Sequence, residues 1–219
     1  MGEKASININ GKEMSFDSER KLIDVLRNDC KCKSVKDGCS EGACGTCTVL
    51  IDGKPMRACI QTIGRLKGKK VQTIEGFTKR ERDVYSYAFA ICGAVQCGFC
   101  IPGMVVSAKG LIDINPNPSR IEIVAAIKNN ICRCTGYKKI IDAIELSAKM
   151  LRENIEVKDY KGKIKVGDKR IARIDAKEKA LGEGIYCDDI EIEGMIYGAA
   201  VRTKYPRAKI LKIDISEAK

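Results

Sequence analysis

The chain has 219 residues, is 44% hydrophobic and carries a formal net charge of +11, which suits one large domain or two small ones with ordinary cores. Its 40 lysines and arginines are scattered among 29 acids without an accompanying aromatic stripe, so the composition does not indicate a nucleic-acid partner. The sequence shows neither a signal peptide nor an apolar run of transmembrane length, so we expect a cytoplasmic protein without a membrane partner. In a reducing cytoplasm, clustered cysteines bind metal more often than they pair.

The first 76 residues have the pattern of a small sheet crossed by one helix. Residues 5–17 predict a hairpin that turns at Asn10 and Gly11, a dipeptide that closes tight hairpins. The periodicity then predicts a helix followed by two strands, over 22–26, 48–51 and 71–74. This order of elements predicts a β-grasp domain over residues 1–76.

From about Phe77 the hydrophobic period becomes helical. Four helices are predicted, over 80–93, 102–113, 119–130 and 137–152. Ser119 and Glu122 form a capping-box signature at the start of the third helix, and Pro102 stands where a first-turn proline is tolerated. The sequence therefore predicts a four-helix-bundle domain over residues 77–152.

The last part of the chain differs from both. Residues 153–163 are polar and lysine-rich and read as a linker. Residues 164–219 contain segments that alternate in hydropathy, such as 195–201 and 210–215, and predict a partial α/β segment that begins a larger domain. The fold class expected for the whole chain is α+β.

Eight of the twelve cysteines form two groups of four. The first cysteine group reads C-x4-C-x2-C with a fourth cysteine twelve residues on, the spacing of plant-type [2Fe-2S] ferredoxins, and consists of Cys39, Cys44, Cys47 and Cys59. The second cysteine group joins QCGFC to CRC and consists of Cys97, Cys100, Cys132 and Cys134. Its two pairs fall in loops at one end of an up-down bundle, so four distant thiolates can converge there. The sequence predicts two metal centres.

The first cysteine group indicates an iron–sulfur cluster more strongly than the second group does. Gly38, Gly42 and Gly45 interleave with the first group, so the backbone can curl around a cluster and aim N–H groups at the sulfurs. A structural zinc site fits that spacing poorly, whereas the second group alone is compatible with zinc. A zinc-stapled module that uses its positive charge on nucleic acid is therefore the alternative from another functional class.

Together these motifs resemble the iron–sulfur part of the molybdenum hydroxylase family, which includes xanthine dehydrogenases and aldehyde oxidoreductases. The matching segments, in order across residues 5–152, are KDGCSEGACGTCTVLIDGK, RAC, VQTIEG, QCGFCIPGMV and NNICRCTGY. Residues 164–219 look like the start of the family's molybdenum-binding part. The resemblance implies a plant-type ferredoxin domain, a helical [2Fe-2S] domain and a fragment of the molybdopterin-binding catalytic domain.

The resemblance also implies a path for electrons. In this family they leave a molybdenum–molybdopterin centre singly, pass the cluster of the helical domain and then that of the β-grasp domain, and reach FAD or another acceptor. By motif match the second cysteine group binds the proximal cluster, with Gln96 and Cys134 close to the pterin, and the first group binds the distal cluster.

The implied partners are a molybdopterin-binding catalytic subunit and, beside it, a flavin subunit that carries FAD. We expect no catalytic residue in this chain, because the family's catalytic glutamate lies far beyond its last residue. The chain would therefore be the electron-transfer part of an oxidoreductase. A free-standing ferredoxin-type shuttle is the alternative within redox chemistry.

Overall fold

The computed structural model describes residues 3–157 and 172–218. The chain divides into two compact units, Met1–Gly184 and Ile185–Lys219. Most of the predicted linker, 153–163, and the first residues of the predicted C-terminal fragment, 164–171, lie outside the described residues. Among the described helices, none is long and apolar enough to cross a membrane.

A five-stranded sheet forms the first half of the larger unit. Its strands are β1 (Lys4–Ile9), β2 (Lys12–Asp17), β3 (Thr48–Ile51), β4 (Lys54–Arg57) and β5 (Lys70–Gln72). The strand order is β2-β1-β5-β3-β4, with β1 and β5 parallel and every other neighbouring pair antiparallel. The predicted hairpin is confirmed, and both turn residues, Asn10 and Gly11, have the positive φ that such a turn requires.

One helix crosses this sheet. Helix α1 (Leu22–Asp24) continues as a π-helical turn over Val25–Asp29, and it buries Leu22, Ile23, Val25 and Leu26. The side chains of β1 alternate between exposed and buried, so Ala5, Ile7 and Ile9 face the helix. Because burying one such aliphatic side chain contributes about 1.5–3 kcal/mol, this layer forms a core of its own.

Four helices form the second half: α2 (Lys79–Ile91), α3 (Ile101–Ile114), α4 (Arg120–Ile127) and α5 (Lys138–Arg152). The capping box predicted at Ser119 and Glu122 is formed, and Thr78 with Glu81 forms another at the start of α2. Helix α3 is buried at every residue from Ile101 to Gly110, because it packs against both β3 and the other helices.

Residues 172–184 also belong to this unit, as an addition that the sequence did not predict. They contain helix α6 (Ala176–Ala180), whose Ala176 and Ala180 join the core of the helical half. Arg82 of α2 forms an ion pair with Glu183. At Gly182 an added Cβ would fall under 3.0 Å from Ser34, so the segment contacts both halves of the unit.

The smaller unit contains turns rather than a sheet. Its described residues form two short 3-10 helices, Cys187–Asp189 and Ser216–Ala218, and no strand over residues 185–218. The side chains of the alternating segments are exposed, as at Ile196 and Leu211. Strands gain stability by pairing with neighbours, and no neighbouring strand lies among these residues. The alternating segments therefore form no strand over residues 185–218.

Candidate functional site

The first cysteine group is assembled by the loop before β3 and by the β3–β4 hairpin. Cys39 and Cys44 lie in the loop, and Cys47 directly precedes β3. Because β3 and β4 pair with Thr48 opposite Arg57, the hairpin returns Cys59 to the position beside Cys47. The Ala58 N–H donates to the Cys47 carbonyl at 3.1 Å and fixes this approach.

The thiols of this group differ in environment. Backbone N–H groups of Cys44 and Glu41 hydrogen-bond to the Cys39 sulfur and lower the pKa of its thiol to about 7; the Cys44 N–H lies 3.4 Å away. Burial instead raises the pKa of Cys47, which is 2% exposed, to about 12. A thiol of that kind is deprotonated by a bound metal rather than by solvent.

The second cysteine group lies where two helix ends meet. Cys97 and Cys100 occupy the turn that leads into α3, and Cys132 and Cys134 occupy the loop between α4 and α5. The sulfurs of Cys97 and Cys134 are 3.6 Å apart. Burial, and after it the adjacent Cys132, raises the pKa of Cys100.

A tyrosine shapes the loop that carries Cys132 and Cys134. The Cys132 N–H donates to the Tyr137 hydroxyl oxygen at 2.8 Å, and that hydroxyl donates to the Asn130 carbonyl at 3.2 Å. Burial alone would raise the pKa of Cys132, but hydrogen bonds from the Thr135 hydroxyl and from backbone N–H groups outweigh it and lower the pKa. The loop is thus built to stabilise a thiolate.

In both groups the thiols meet two by two. The pairs are Cys39 with Cys44, Cys47 with Cys59, Cys97 with Cys134, and Cys100 with Cys132. Over the described ranges, no three or more Cys, His, Asp or Glu side chains converge on a point that would hold a single metal ion. One zinc ion draws four ligands to one centre, whereas the two irons of a [2Fe-2S] cluster share four thiolates. The paired thiols therefore fit the four ligands that a [2Fe-2S] cluster needs.

Hydrogen bonds join the two cysteine loops directly. The Ile131 N–H donates to the Cys44 carbonyl at 2.8 Å, and the buried Asn130 amide donates to the Gly45 carbonyl at 2.8 Å. Asn130 also accepts from the Ser107 hydroxyl of α3 at 2.8 Å. Cys44 of the first group therefore accepts a hydrogen bond from Ile131, the residue that precedes Cys132 of the second group.

Comparison with family models divides the chain in the same way. A 2Fe-2S iron–sulfur cluster binding domain matches residues 10–84, and a [2Fe-2S] binding domain matches residues 73–145. The a/b hammerhead domain of aldehyde oxidase and xanthine dehydrogenase matches residues 181–219. The chain therefore contains two [2Fe-2S] binding domains.

Individual relatives agree with this division. The chain is 43% identical over 142 residues to the nicotinate dehydrogenase small FeS subunit of Eubacterium barkeri, a match that covers 64% of this chain and 90% of the relative. The chain belongs to the molybdenum hydroxylase family, in which it corresponds to the iron–sulfur component.

Other members of this family are longer. An aldehyde oxidoreductase of Megalodesulfovibrio gigas is 37% identical over 225 residues, which is 97% of this chain but 25% of the relative. The crystal structure of the aldehyde oxidoreductase from Desulfovibrio desulfuricans matches with a TM-score of 0.77 and 37% identity, over 85% of this chain and 22% of that chain. The chain spans about a quarter of the length of these relatives, and its α+β fold, a five-stranded sheet with helices, is theirs.

In this molybdenum hydroxylase component, the second cysteine group has an open side. Gln96, Cys97 and Cys134 are exposed, whereas Cys100 is buried. The side chain of Lys179 lies against Gly98, where an added Cβ would be 2.7 Å from the Lys179 Cβ. Exposed side chains and the contact with Lys179 therefore both lie beside the second group.

Sequence reasoning missed the residues that hold the two loops together. Asn130 lies within the NNICRCTGY segment, but nothing in its neighbourhood in sequence shows that it bonds to Gly45, 85 residues away. The only available signal was a polar residue at the end of a predicted apolar helix and before two ligand candidates.

Proposed function

We propose that the chain carries electrons from a molybdenum–molybdopterin centre through two [2Fe-2S] clusters to FAD or another acceptor. The observation that carries this proposal is the presence of two sets of paired thiols whose loops are hydrogen-bonded to each other. The proposed parts are a β-grasp plant-type ferredoxin domain over 1–76, a four-helix-bundle domain over 77–152, a linker over 153–163, and over 164–219 the start of the catalytic domain.

In this proposal Cys39, Cys44, Cys47 and Cys59 bind the distal cluster, and Cys97, Cys100, Cys132 and Cys134 bind the proximal one. Each cluster, when bound, takes up and passes on one electron at a time. The chain's own contribution is to hold thiolates in pairs, to direct N–H groups at Cys39, and to exclude water from Cys47 and Cys100.

The second group is proposed to be the one nearer the molybdopterin, with Gln96 and Cys134 in contact with it. The exposure of both residues supports this, because a ligand on another part of the protein can reach them. The position of Lys179 on Gly98 supports it further, since residues 172–184 lead into the region that matches the hammerhead domain.

The proposed partners are a molybdopterin-binding catalytic part, on a separate chain or as a continuation, and a flavin-bearing chain. The Eubacterium barkeri relative is named a small FeS subunit, which supports assembly with a larger subunit. We propose a cytoplasmic location, where cysteines stay reduced and available to iron. The paired thiols do not favour the zinc-stapled module, and the hammerhead match does not favour a free-standing shuttle.

Single cysteine substitutions test the assignment. In anaerobically purified protein, Cys47→Ser and Cys100→Ser are each expected to lower the iron content from about four to about two per chain and to abolish one of two [2Fe-2S] EPR signals, a different one in each variant. Cys92→Ser, outside both groups, should retain both signals. If Cys47→Ser and Cys100→Ser remove the same signal, or neither removes one, the proposal is wrong.

A further inference from the structure

An open pocket of about 390 Å³ lies where the edge strand β4 meets the end of α4. The sheet side supplies residues of β4 and of the turn that carries Cys59, and the helical side supplies residues that flank Asn130. The pocket therefore lies at the junction of the two halves, beside the turn that carries Cys59 and beside Asn130, and nothing in the proposed electron path uses it.

Arg57 is the unusual feature of this pocket. Its Nε is buried and has no hydrogen-bond partner within the part of the chain that the structure describes. Over the same residues, no carboxylate forms an ion pair with Arg57. A buried donor on a charged group costs free energy unless an acceptor meets it, so an acceptor for Arg57 is expected from outside these residues.

The lining around Arg57 favours a negatively charged acceptor. None of the residues that line the pocket is an aspartate or a glutamate, and Gln61 and Asn129 add carboxamide groups that can donate. Ser107 and Asn130 are already bonded to each other. The planar guanidinium matches the two oxygens of a carboxylate better than it matches a single acceptor.

The rim of the pocket is apolar. Met56 is 37% exposed and Ile60 is 47% exposed, on either side of Arg57 in sequence. Arginine and methionine are enriched where one polypeptide buries another, and a small hydrated anion would leave this rim uncovered. Since the chain spans about a quarter of its longer relatives, further polypeptide is available to cover it.

We propose that this pocket binds a carboxylate supplied by an acidic side chain of a polypeptide that docks over Met56 and Ile60. Cys59 lies between Arg57 and Ile60 in sequence, and Ile60 contacts Gly42 in the loop of the first group, where an added Cβ would be 3.0 Å from the Ile60 Cγ2. The docked polypeptide therefore lies against the first cysteine group. That role in electron transfer rests on the proposed function, whereas carboxylate binding does not.

The test titrates the iron-loaded chain with a blocked glutamate, N-acetylglutamate amide, and separately with sodium acetate and inorganic phosphate. Binding is measured by calorimetry at an ionic strength held constant with sodium chloride. The blocked glutamate is expected to bind more tightly than either free anion, because its backbone can cover the apolar rim. Arg57→Gln should weaken it by about tenfold or more, the factor for one lost charge-assisted hydrogen bond.

Lys54→Gln is the matched control, because Lys54 is an exposed cation of the same strand that does not line the pocket. It should change the affinity by less than about twofold, as expected for a screened surface charge. Arg57→Lys keeps the charge but loses the planar guanidinium that can donate two parallel hydrogen bonds, so an intermediate affinity is expected. This variant also serves if Arg57→Gln fails to fold.

Several results would overturn the inference. Equal affinity of Arg57→Gln and of the unchanged chain for the blocked glutamate would show that the pocket does not bind it. Equal losses of affinity in Arg57→Gln and Lys54→Gln would show the same. Acetate or phosphate binding as tightly as the blocked glutamate would show that the occupant is a free anion and not a docked polypeptide. Iron content, measured on each sample, separates this inference from the proposed function, because Arg57→Gln is expected to retain the iron of the unchanged chain.

Discussion

Gly45 occupies a position that no other residue type fits, because two separate constraints meet there. Its φ is +73°, and an added Cβ would lie under 3.0 Å from the Asn129 carbonyl oxygen and 3.0 Å from the Asn130 Cα. Those atoms are backbone of the neighbouring loop and cannot rotate aside. The close approach of the two cysteine loops therefore depends on the missing side chain.

Gly45→Ala is predicted to destabilise the protein by roughly 3 kcal/mol or more, since backbone strain and a clash act together. Gly53→Ala is the matched control, because Gly53 has a φ of +78° but nothing within 4 Å of an added Cβ; it should cost about 1 kcal/mol. Urea unfolding measures both, and equal losses would contradict the account of the loop contact.

Asn130 holds the same contact through its side chain. It is 2% exposed, donates to the Gly45 carbonyl and to the Thr48 hydroxyl, and accepts from Ser107. Asn130→Ala should destabilise the protein by about 2–4 kcal/mol, because buried groups on both sides lose their partners. The exposed Asn28 is the control, and Asn28→Ala should stay within about 0.5 kcal/mol in the same unfolding measurement. A small effect of Asn130→Ala would mean that the loops are held by other contacts.

At the scale of single residues, a sequence informs on function mainly through local spacing. The spacing of cysteines within a few residues indicated metal ligands, because a cluster needs them on a tight loop. Asn130 and Arg57 were not found, since their importance depends on residues far away in sequence or on a partner that must cover them.

At the scale of elements, α3 carries a buried lysine that ties it to the start of α2. The Lys109 ammonium lies 2.6 Å from Glu81, 2.8 Å from Asp113 and 5.5 Å from the centre of the Phe77 ring. Burial alone would raise the pKa of Glu81, but hydrogen bonds from Lys109 and Thr78 outweigh it and hold the pKa below its usual value.

The lowered pKa of Glu81 determines how the free energy of unfolding depends on pH. Because the folded-state pKa of Glu81 lies below its unfolded value of about 4.3, the ionised carboxylate stabilises the fold above that pH, and the contribution is lost as pH falls through the folded pKa. Glu81→Gln is therefore predicted to cost about 1–3 kcal/mol at neutral pH. The cost should shrink toward zero in unfolding measurements carried from pH 7 down to below pH 4. A cost that stays constant over this range would contradict the ion pair.

Residues 172–184 form a second element whose docking can be tested. Gly182→Ala would force a Cβ at positive φ against Ser34, so amide hydrogen exchange in α6 should become at least about tenfold faster. Gly194→Ala is the control in the smaller unit, because Gly194 has a φ of +75° and open space around it. Unchanged protection of α6 in Gly182→Ala would show that this contact does not hold the segment.

The elements themselves were predicted unevenly. All four long helices were predicted, but α4 ends at Ile127 rather than at residue 130, because Asn130 turns toward Gly45. Strand β4 was missed, since it is four residues long and contains Pro55, which edge strands tolerate and propensity disfavours. Helix α6 has five residues and gains its stability from burial of Ala176 and Ala180, which local sequence does not show.

At the scale of the molecule, motif order predicted two domains in sequence, and the structure adds how they are joined. Each half has its own core, and hydrogen bonds between the cysteine loops bridge them. The predicted boundary at residue 152 came from a change in composition, whereas the compact unit extends to Gly184 because of buried apolar contacts. Composition marks where a chain becomes polar, and only packing shows where a unit ends.

The most direct test of the whole account is metal and sulfide analysis of the anaerobically purified chain, followed by EPR after reduction with dithionite. Paired thiols in two groups predict about four irons and four acid-labile sulfides per chain, with two distinguishable [2Fe-2S] signals. Zinc in place of iron, with no EPR signal after anaerobic reconstitution, would contradict the electron-transfer function and favour the zinc-stapled module instead.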